Sequence, residues 1–258
     1  MLGDLALLHD ALVRFAVDEL TQKGYTPILP PTLVSDETMY GAGMFPVDEQ
    51  DVYRLPKDGL NLAGTSEISV LGFHAHDTLN LKKGPTKYVA YSTCYRREAG
   101  AAGKDQRGII RMHQFDKVEM FTFAPEDASW DLLDNELVPL AEGILSKLGL
   151  HFRRVTLCTG DLARKNQKTY DLECWLPSEE RYVETNSISN VGSFQARRLG
   201  IKYVAADGSR RYVHTLNGTA MAFSRLPSCI LEQCQTADGK VRVPEVLQPY
   251  LGNREYLG

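Results

Sequence analysis

The chain lacks the features that carry a protein to or across a membrane. No apolar run approaches the ~20 residues that a spanning helix needs. The first residues, MLGDLALLHD, place no basic segment ahead of an apolar core, so neither a span nor a secretory leader is expected. Positive charge is not in excess either: 29 Lys and Arg stand against 33 Asp and Glu, a formal net charge of -4. A surface that holds nucleic acid along its whole length is normally basic. Any such contact must therefore be local, or be made by a part outside this chain. The five cysteines, Cys94, Cys158, Cys174, Cys229 and Cys234, form no CxxC pair. They are expected to be reduced, packed residues of a cytoplasmic protein, and they give little support to a structural zinc site. No Walker loop and no GxGxxG after a strand occurs, which disfavours P-loop and Rossmann nucleotide sites. No heptad run occurs that would build a coiled coil.

The 258 residues, 43% hydrophobic and 24% charged, suffice for a full core. One large domain is the default and two small ones the alternative. Residues 5–22 read as an amphipathic helix, with Leu5, Leu8, Leu12, Phe15 and Leu20 near a 3.6-residue stripe. Asp4 is positioned to cap it and Gly24 to end it. GYTPILPPTLV follows, and Pro30-Pro31 stop regular pairing there. Residues 35–60 read as loop-rich, with Gly41, Gly43, Pro46, Pro56 and Gly59. Thr65, Ser66 and Glu67 close an apolar segment, which suits a helix N-cap with an acidic first turn. Pro125 to Leu150 reads as a helix or a broken pair of helices with Trp130, Leu133, Leu137 and Ile144 on its apolar face, and Pro139 is expected to kink or interrupt it. FRRVTLC (152–158), TYDLECWL (169–176) and RYVETNSIS (181–189) read as successive strands, which predicts an antiparallel sheet rather than a βαβ series. The fold class is thus α+β. Near the end, a strand is expected to stop at about Asn217-Gly218, and a helix to run from about Met221 to Cys234.

Charge is concentrated between Tyr95 and Phe121. Strand-like runs at Tyr88–Tyr95 and Lys117–Ala124 flank a segment punctuated by Gly100, Gly103 and Gly108. Arg96, Arg97, Lys104, Arg107 and Arg111 lie on it or at its edges, with Glu98 and Glu119 at the strand ends. Two antiparallel strands holding a cationic loop over carboxylates suit a polyphosphate, because guanidinium forks grip phosphate oxygens bidentately. A solvated hairpin with a charged tip is the plainer alternative. A second polar run, ETNSISNVGSFQARR (184–198), is polar where a strand should be apolar, and such a local inconsistency marks a candidate site. A turn rich in Asn and Ser is its plainer reading.

The order YRREAG, a Gly-rich loop and RGIIRMHQFDKVEM resembles motif 2 of the class II aminoacyl-tRNA synthetases, most nearly that of the seryl-tRNA synthetases. The helix, strand and proline of about 5–34 resemble motif 1, the dimer interface of that class. Motif 2 then spans about 88–124, and the segment of about 212–235 resembles motif 3. The likeness covers the whole of 1–258 as one catalytic core. It implies an antiparallel sheet flanked by helices, a homodimer, and activation of L-serine by ATP to seryl-adenylate for transfer to tRNA(Ser). Carried over by position, it implies Arg96 and Arg225 as catalytic residues. ATP would be held by Arg96, Glu98, Arg111, Phe115, Glu184, Ser187 and Arg225, with Phe115 stacked on adenine and Glu98 accepting from its amino group. Serine would be held by Thr65, Glu67, Arg96, Glu119, Asn217 and Thr219. Glu184 and Ser187 would hold Mg2+, and an oxygen-only pair suits a hard cation. Thr219 stands where the family frequently has serine, Ala220 and Ser224 where it has glycines, and Arg97 where serine is common. Thr219 keeps the hydroxyl, so these departures bear on fine specificity rather than reaction type. The family's tRNA-gripping N-terminal arm has no counterpart here, and the expectation is an isolated catalytic core. A stand-alone paralogue that loads an amino acid onto a carrier protein, or a non-catalytic binding paralogue, are the alternatives.

Overall fold

A computed structural model describes residues 1–99 and 110–258. Gly100, Gly103, Lys104, Arg107 and Gly108, expected to form the cationic loop, lie outside the described residues.

The centre of the molecule is a seven-stranded sheet. Its strands are β1 (Thr26–Ile28), β2 (Thr86–Tyr95), β3 (Gln114–Ala124), β4 (Phe152–Thr156), β5 (Lys168–Leu176), β6 (Arg181–Gly192) and β7 (His214–Ala222). Their order across the sheet is β1-β2-β3-β7-β6-β5-β4. Only β1, beside β2, pairs in parallel; the other pairings are antiparallel, as the strand-rich sequence predicts. Among the described residues, seven α-helices accompany the sheet: α1 (Asp4–Thr21), α2 (Asp36–Ala42), α3 (Ser66–Phe73), α4 (Glu126–Leu132), α5 (Val138–Lys147), α6 (Phe194–Leu199) and α7 (Leu226–Gln233).

Alternation along β3 shows how the sheet divides its work. Val118, Met120 and Ala124 join the larger core on one face, with Leu8, Leu12 and Phe15 of α1 and with residues of α5 and α7. Phe121 and Phe123 point the other way and pack with Ile68 and Leu71 of α3 and Leu199 of α6. Phe115, Lys117 and Glu119 share that second face by the same period of two, and there they line a cavity. One face of one strand thus serves as core at one end and as a polar site at the other.

Two bulges refine this. The β3–β7 register shifts between Thr219 and Met221, which reverses side-chain parity. Asn217 and Thr219 line the cavity before the shift, and Ala222 and Ser224 line it after. The shift strands backbone carbonyls, and Asn186 on the neighbouring β6 serves them: its Nδ2 donates to the carbonyls of Thr219 and Ala220 at 2.8 and 2.9 Å. The polarity of the 184–190 run therefore has a structural cause, and the run is strand rather than turn. A second shift, between Glu184 and Asn186, marks the β5–β6 pairing.

Several expectations are corrected. Asp4 lies in the first turn of α1, and Gly3 occupies the cap position without a side-chain bond. Residues 35–60 are not simply loop: Ser35 caps α2 through a bond from the Thr38 amide, and short strands at Leu33–Ser35, Arg54–Leu55 and Leu60–Leu62 form a small sheet. The segment 125–150 is a broken pair of helices, as expected, with the interruption just ahead of Pro139. Pro139 falls in the first turn of α5, where its missing amide costs least, after a wider π turn at Leu133–Leu137. Trp130 is 42% exposed rather than on the apolar face. β7 continues past Gly218 to Ala222, and α7 starts only at Leu226. Glu119 sits mid-strand, not at a strand end. Cys158 is exposed, whereas the other four cysteines are buried, and all five are free.

Candidate active site

The cavity over β3, β6 and β7 has a volume of about 330 Å³. All twelve residues expected at the site line it: Thr65, Glu67, Arg96, Glu98, Arg111, Phe115, Glu119, Glu184, Ser187, Asn217, Thr219 and Arg225 are among its walls. Local structure explains each placement. Thr65 is the N-cap of α3; its Oγ1 accepts from the Glu67 amide at 3.4 Å, so the cap turns both side chains toward β3. Arg96 follows the last residue of β2, and its backbone amide donates to His113 across the hairpin at 3.0 Å. Beyond it, the amide of Arg97 donates to the carbonyl of Asp51, and that of Ala99 to the Asp51 carboxylate at 2.7 Å. Asp51 thus pins the root of the hairpin. Arg225 immediately precedes α7.

The polar side chains sort into two networks. The first is buried. Lys117 Nζ lies 2.6 Å from the Glu119 carboxylate and donates to Thr65 Oγ1 at 2.7 Å. Thr219 Oγ1 donates to the same Glu119 oxygen at 3.2 Å. Glu67 Oε1 accepts from Lys165 Nζ at 2.8 Å, Gln195 Nε2 at 2.5 Å and Asn217 Nδ2 at 3.2 Å. Both acids are buried, yet their environments push them apart. Burial raises the Glu67 pKa, but the Lys165 charge, the bonds from Lys165 and Gln195, and the Lys117 charge more than offset it, leaving it below the ordinary value. Burial dominates at Glu119: Lys117 relieves it only in part, the Glu67 charge adds to it, and the carboxyl titrates above its ordinary value. Two lysines thus oppose two acids, so this network is close to neutral.

The second network is cationic. Arg111 pairs with Glu98 at 2.5 Å, and Arg225 with Glu184 at 3.5 Å, donating also to the Glu184 carbonyl at 2.8 Å. Arg96 has no acidic partner among the described residues. Its Nε donates to the Gly64 carbonyl at 3.2 Å, and its guanidinium lies over the Phe115 ring at 5.4 Å. Three arginines against two acids favour an anion.

Reading the residues alone missed Lys117, Lys165, Gln195 and Asp171. Lys117 had a signal, since it alternates with Phe115 and Glu119 on one strand face. Asp171 had a weaker one, as one of two acids, with Glu173, inside the strand-like TYDLECWL. Its register partner is Ser187, and its Oδ1 is buried without a hydrogen-bond partner among the described residues. Burial first, then the Glu184 charge, raises Asp171 to about 6, against the pull of the Ser187 hydroxyl. Glu184, Ser187 and the orphaned oxygen of Asp171 form an all-oxygen set of the kind a hard divalent cation takes. Lys165 reaches the site from a distant segment and carries no local signal, whereas Gln195 lies within the polar run 184–198 but nothing in that run points to Glu67 as its partner. No helix among the described residues is long and apolar enough to cross a membrane.

Comparison with known proteins identifies the family. A serine--tRNA ligase of Symbiobacterium thermophilum is 47% identical over 249 residues, covering 96% of this chain and 59% of its own length. That of Petrotoga mobilis is 48% identical, covering 99% and 60%. Among solved structures, a seryl-tRNA synthetase from Pyrococcus horikoshii complexed with ATP superposes with a TM-score of 0.94 at 41% identity, covering 99% of this chain and 57% of that one. The chain therefore spans about 60% of the length of the curated relatives it matches. The model of the tRNA synthetase class II core domain (G, H, P, S and T) matches residues 52–234, most of the chain, and the chain belongs to that family.

Proposed function

We propose that this chain is the catalytic part of a serine--tRNA ligase, which activates L-serine with ATP and passes it to tRNA(Ser). The observation that carries this is the division of one cavity into a near-neutral buried network and a cationic one. A zwitterionic amino acid suits the first and a polyphosphate the second. The relatives named above support serine and tRNA(Ser) as the substrates.

In the reaction, a serine carboxylate oxygen attacks the α-phosphorus of ATP. A new phosphorus–oxygen bond forms, the α–β bridge breaks, and pyrophosphate leaves. No side chain forms a covalent bond, so the protein contributes positioning and charge compensation. Arg96, without an acidic partner, is placed for the α-phosphate and the serine carboxylate. Phe115 offers its ring to adenine and Glu98 accepts from the exocyclic amine. Arg111 and Arg225 face the outer phosphates. Glu67, kept anionic, receives the serine ammonium, while Thr65, Asn217, Glu119 and Thr219 surround the amino acid. A pocket whose polar groups need the substrate hydroxyl as partner rejects alanine, because those groups would otherwise stay unpaired. Glu184 and Ser187 would hold Mg2+, with Asp171 beside them. The ion would supply neutralisation of phosphate charge. A homodimer built on the first helix and strand, and a cytoplasmic location, complete the proposal.

The test is serine-dependent exchange of pyrophosphate into ATP, run beside alanine, threonine, glycine and cysteine. Exchange with serine, lost in Arg96→Ala, is expected. A folded protein that exchanges with no amino acid would refute the reading.

A further inference from the structure

Lys165 stands in the connection between β4 and β5, and with its neighbour Asn166 it is the contribution of that connection to the cavity wall. Its side chain is 14% exposed and crosses three segments. The ammonium is 2.8 Å from Glu67 Oε1 at the start of α3 and 3.4 Å from the carbonyl of Ala42 at the end of α2. Its aliphatic stem passes Gly43, where a Cβ would come within 3.3 Å of the lysine Cδ. Gly43 has a φ of +85°, so the residue is glycine on two grounds. Gln195 bridges the same two groups, donating to Glu67 at 2.5 Å and to Ala42 at 3.1 Å.

The donors to Glu67 all reach one oxygen. Lys165, Gln195 and Asn217 converge on Oε1, and among the described residues none donates to Oε2. A carboxylate can be buried in its charged form only with a counter-charge and hydrogen bonds in place. The other charges facing this acid are Lys117, which is already committed to Glu119 and Thr65, and Glu119 itself, which opposes ionisation. Lys165 in turn lies near Asp48. The charge that keeps Glu67 ionised is therefore mainly that of Lys165.

We propose that Lys165 is a positioning residue for amino-acid recognition: it holds the Glu67 carboxylate anionic and fixed through one oxygen, leaving the other to receive the substrate ammonium. This rests on the activation reading above. It makes the β4–β5 connection, which shares no motif with the rest of the site, a determinant of amino-acid affinity.

The experiment measures serine KM, ATP KM and kcat by pyrophosphate exchange between pH 6 and 9 for the wild type, K165M, K165R and E67Q. Methionine keeps the stem and removes the charge, so Glu67 should protonate more readily. K165M is expected to raise serine KM about tenfold at pH 7, with the defect shrinking as pH rises and Glu67 ionises. ATP KM and kcat at saturating serine should stay within about twofold, and K165R should restore much of the wild-type profile. A merely structural lysine would instead disturb ATP and serine parameters together without a pH dependence, and that result would overturn the proposal. So would a wild-type serine profile in K165M. A melting comparison covers the case in which K165M folds poorly. Removing both charges in K165M/E67Q should recover stability over K165M alone, because the unpaired buried acid is gone; no recovery would also count against the pairing. Absence of exchange in the wild type would overturn the activation reading and this inference together, whereas exchange by the wild type and by K165M alike would overturn the inference alone.

Discussion

Thr65 joins the architecture of the site to its chemistry, and Thr65→Val separates the two. Valine has nearly the same shape, so packing is kept and the hydroxyl alone is lost. That hydroxyl accepts the Glu67 amide at 3.4 Å and the Lys117 ammonium at 2.7 Å. Losing an N-cap costs ~1 kcal/mol on average, and the long first distance puts this one in the lower part of the range. A hydrogen bond to a charged donor is worth ~1.5–3 kcal/mol. Lys117 keeps Glu119 at 2.6 Å, so the lower figure applies. The total is ~2 kcal/mol, which in a chain of this size lowers Tm by roughly 4–8 °C. The loss of one acceptor from the amino-acid pocket should also raise serine KM about tenfold, the equivalent of ~1.4 kcal/mol. Thermal melting and pyrophosphate exchange on Thr65→Val and Thr65→Ser are the assays. The serine variant keeps the hydroxyl and should stay close to wild type in both. If Thr65→Ser lost as much stability as Thr65→Val, the methyl group and not the hydroxyl would be the important part, and the reasoning would fail.

Two further outcomes are expected. Asp171 is raised to about 6 from 3.8, so the native state binds its proton more tightly than the unfolded chain does. Its contribution to stability is present below pH ~4 and is lost as pH rises to ~6. Asp171→Asn should therefore melt higher than wild type at pH 7.5 without added cation, with the gain shrinking at pH 5, while magnesium-dependent exchange falls; an equal gain at both pH values would point to another cause. Phe115→Leu removes the ring under the Arg96 guanidinium and the proposed adenine platform, worth ~0.5–1.5 kcal/mol; ATP KM should rise roughly threefold to tenfold with serine KM nearly unchanged, and an unaltered ATP KM would count against stacking.

The parts of the fold that follow a period were legible in the sequence. The α1 stripe of Leu8, Leu12 and Phe15, the strands β4 to β6, and the β2–β3 hairpin lie where alternation and spacing place them. What was lost depends on tertiary partners. β7 runs to Ala222 because a bulge, served by Asn186 from another strand, lets it continue through a stretch that resembles a turn. α2 is seven residues long and draws its stability from packing on α3 and α6, which short-range propensity does not register. For the site, the motif-bearing residues were accessible because they cluster in sequence. Lys165 and Gln195 were not, because their relation to Glu67 exists only once β4–β5 and α6 have closed on α3.

The same division bears on how a cavity lined by so many charges remains stable. Eight formal charges line the two networks as ion pairs: Lys117 with Glu119, Lys165 with Glu67, Arg111 with Glu98, and Arg225 with Glu184, while Arg96 stands apart over Phe115. Buried pairs break even at best against apolar packing, so these contribute little net stability. Their consequence is preorganisation. The buried pairs at Glu67 and Glu119 cannot open without exposing an unpaired charge, and so they keep fixed positions for an amino acid. The pairs at Glu98 and Glu184 involve more accessible side chains and can exchange a partner for phosphate at smaller cost. The arrangement therefore predicts that amino-acid recognition is rigid and that the nucleotide side adapts on binding. Removing a buried lysine should alter affinity for the amino acid, whereas neutralising Glu98 or Glu184 should alter ATP binding and its salt dependence.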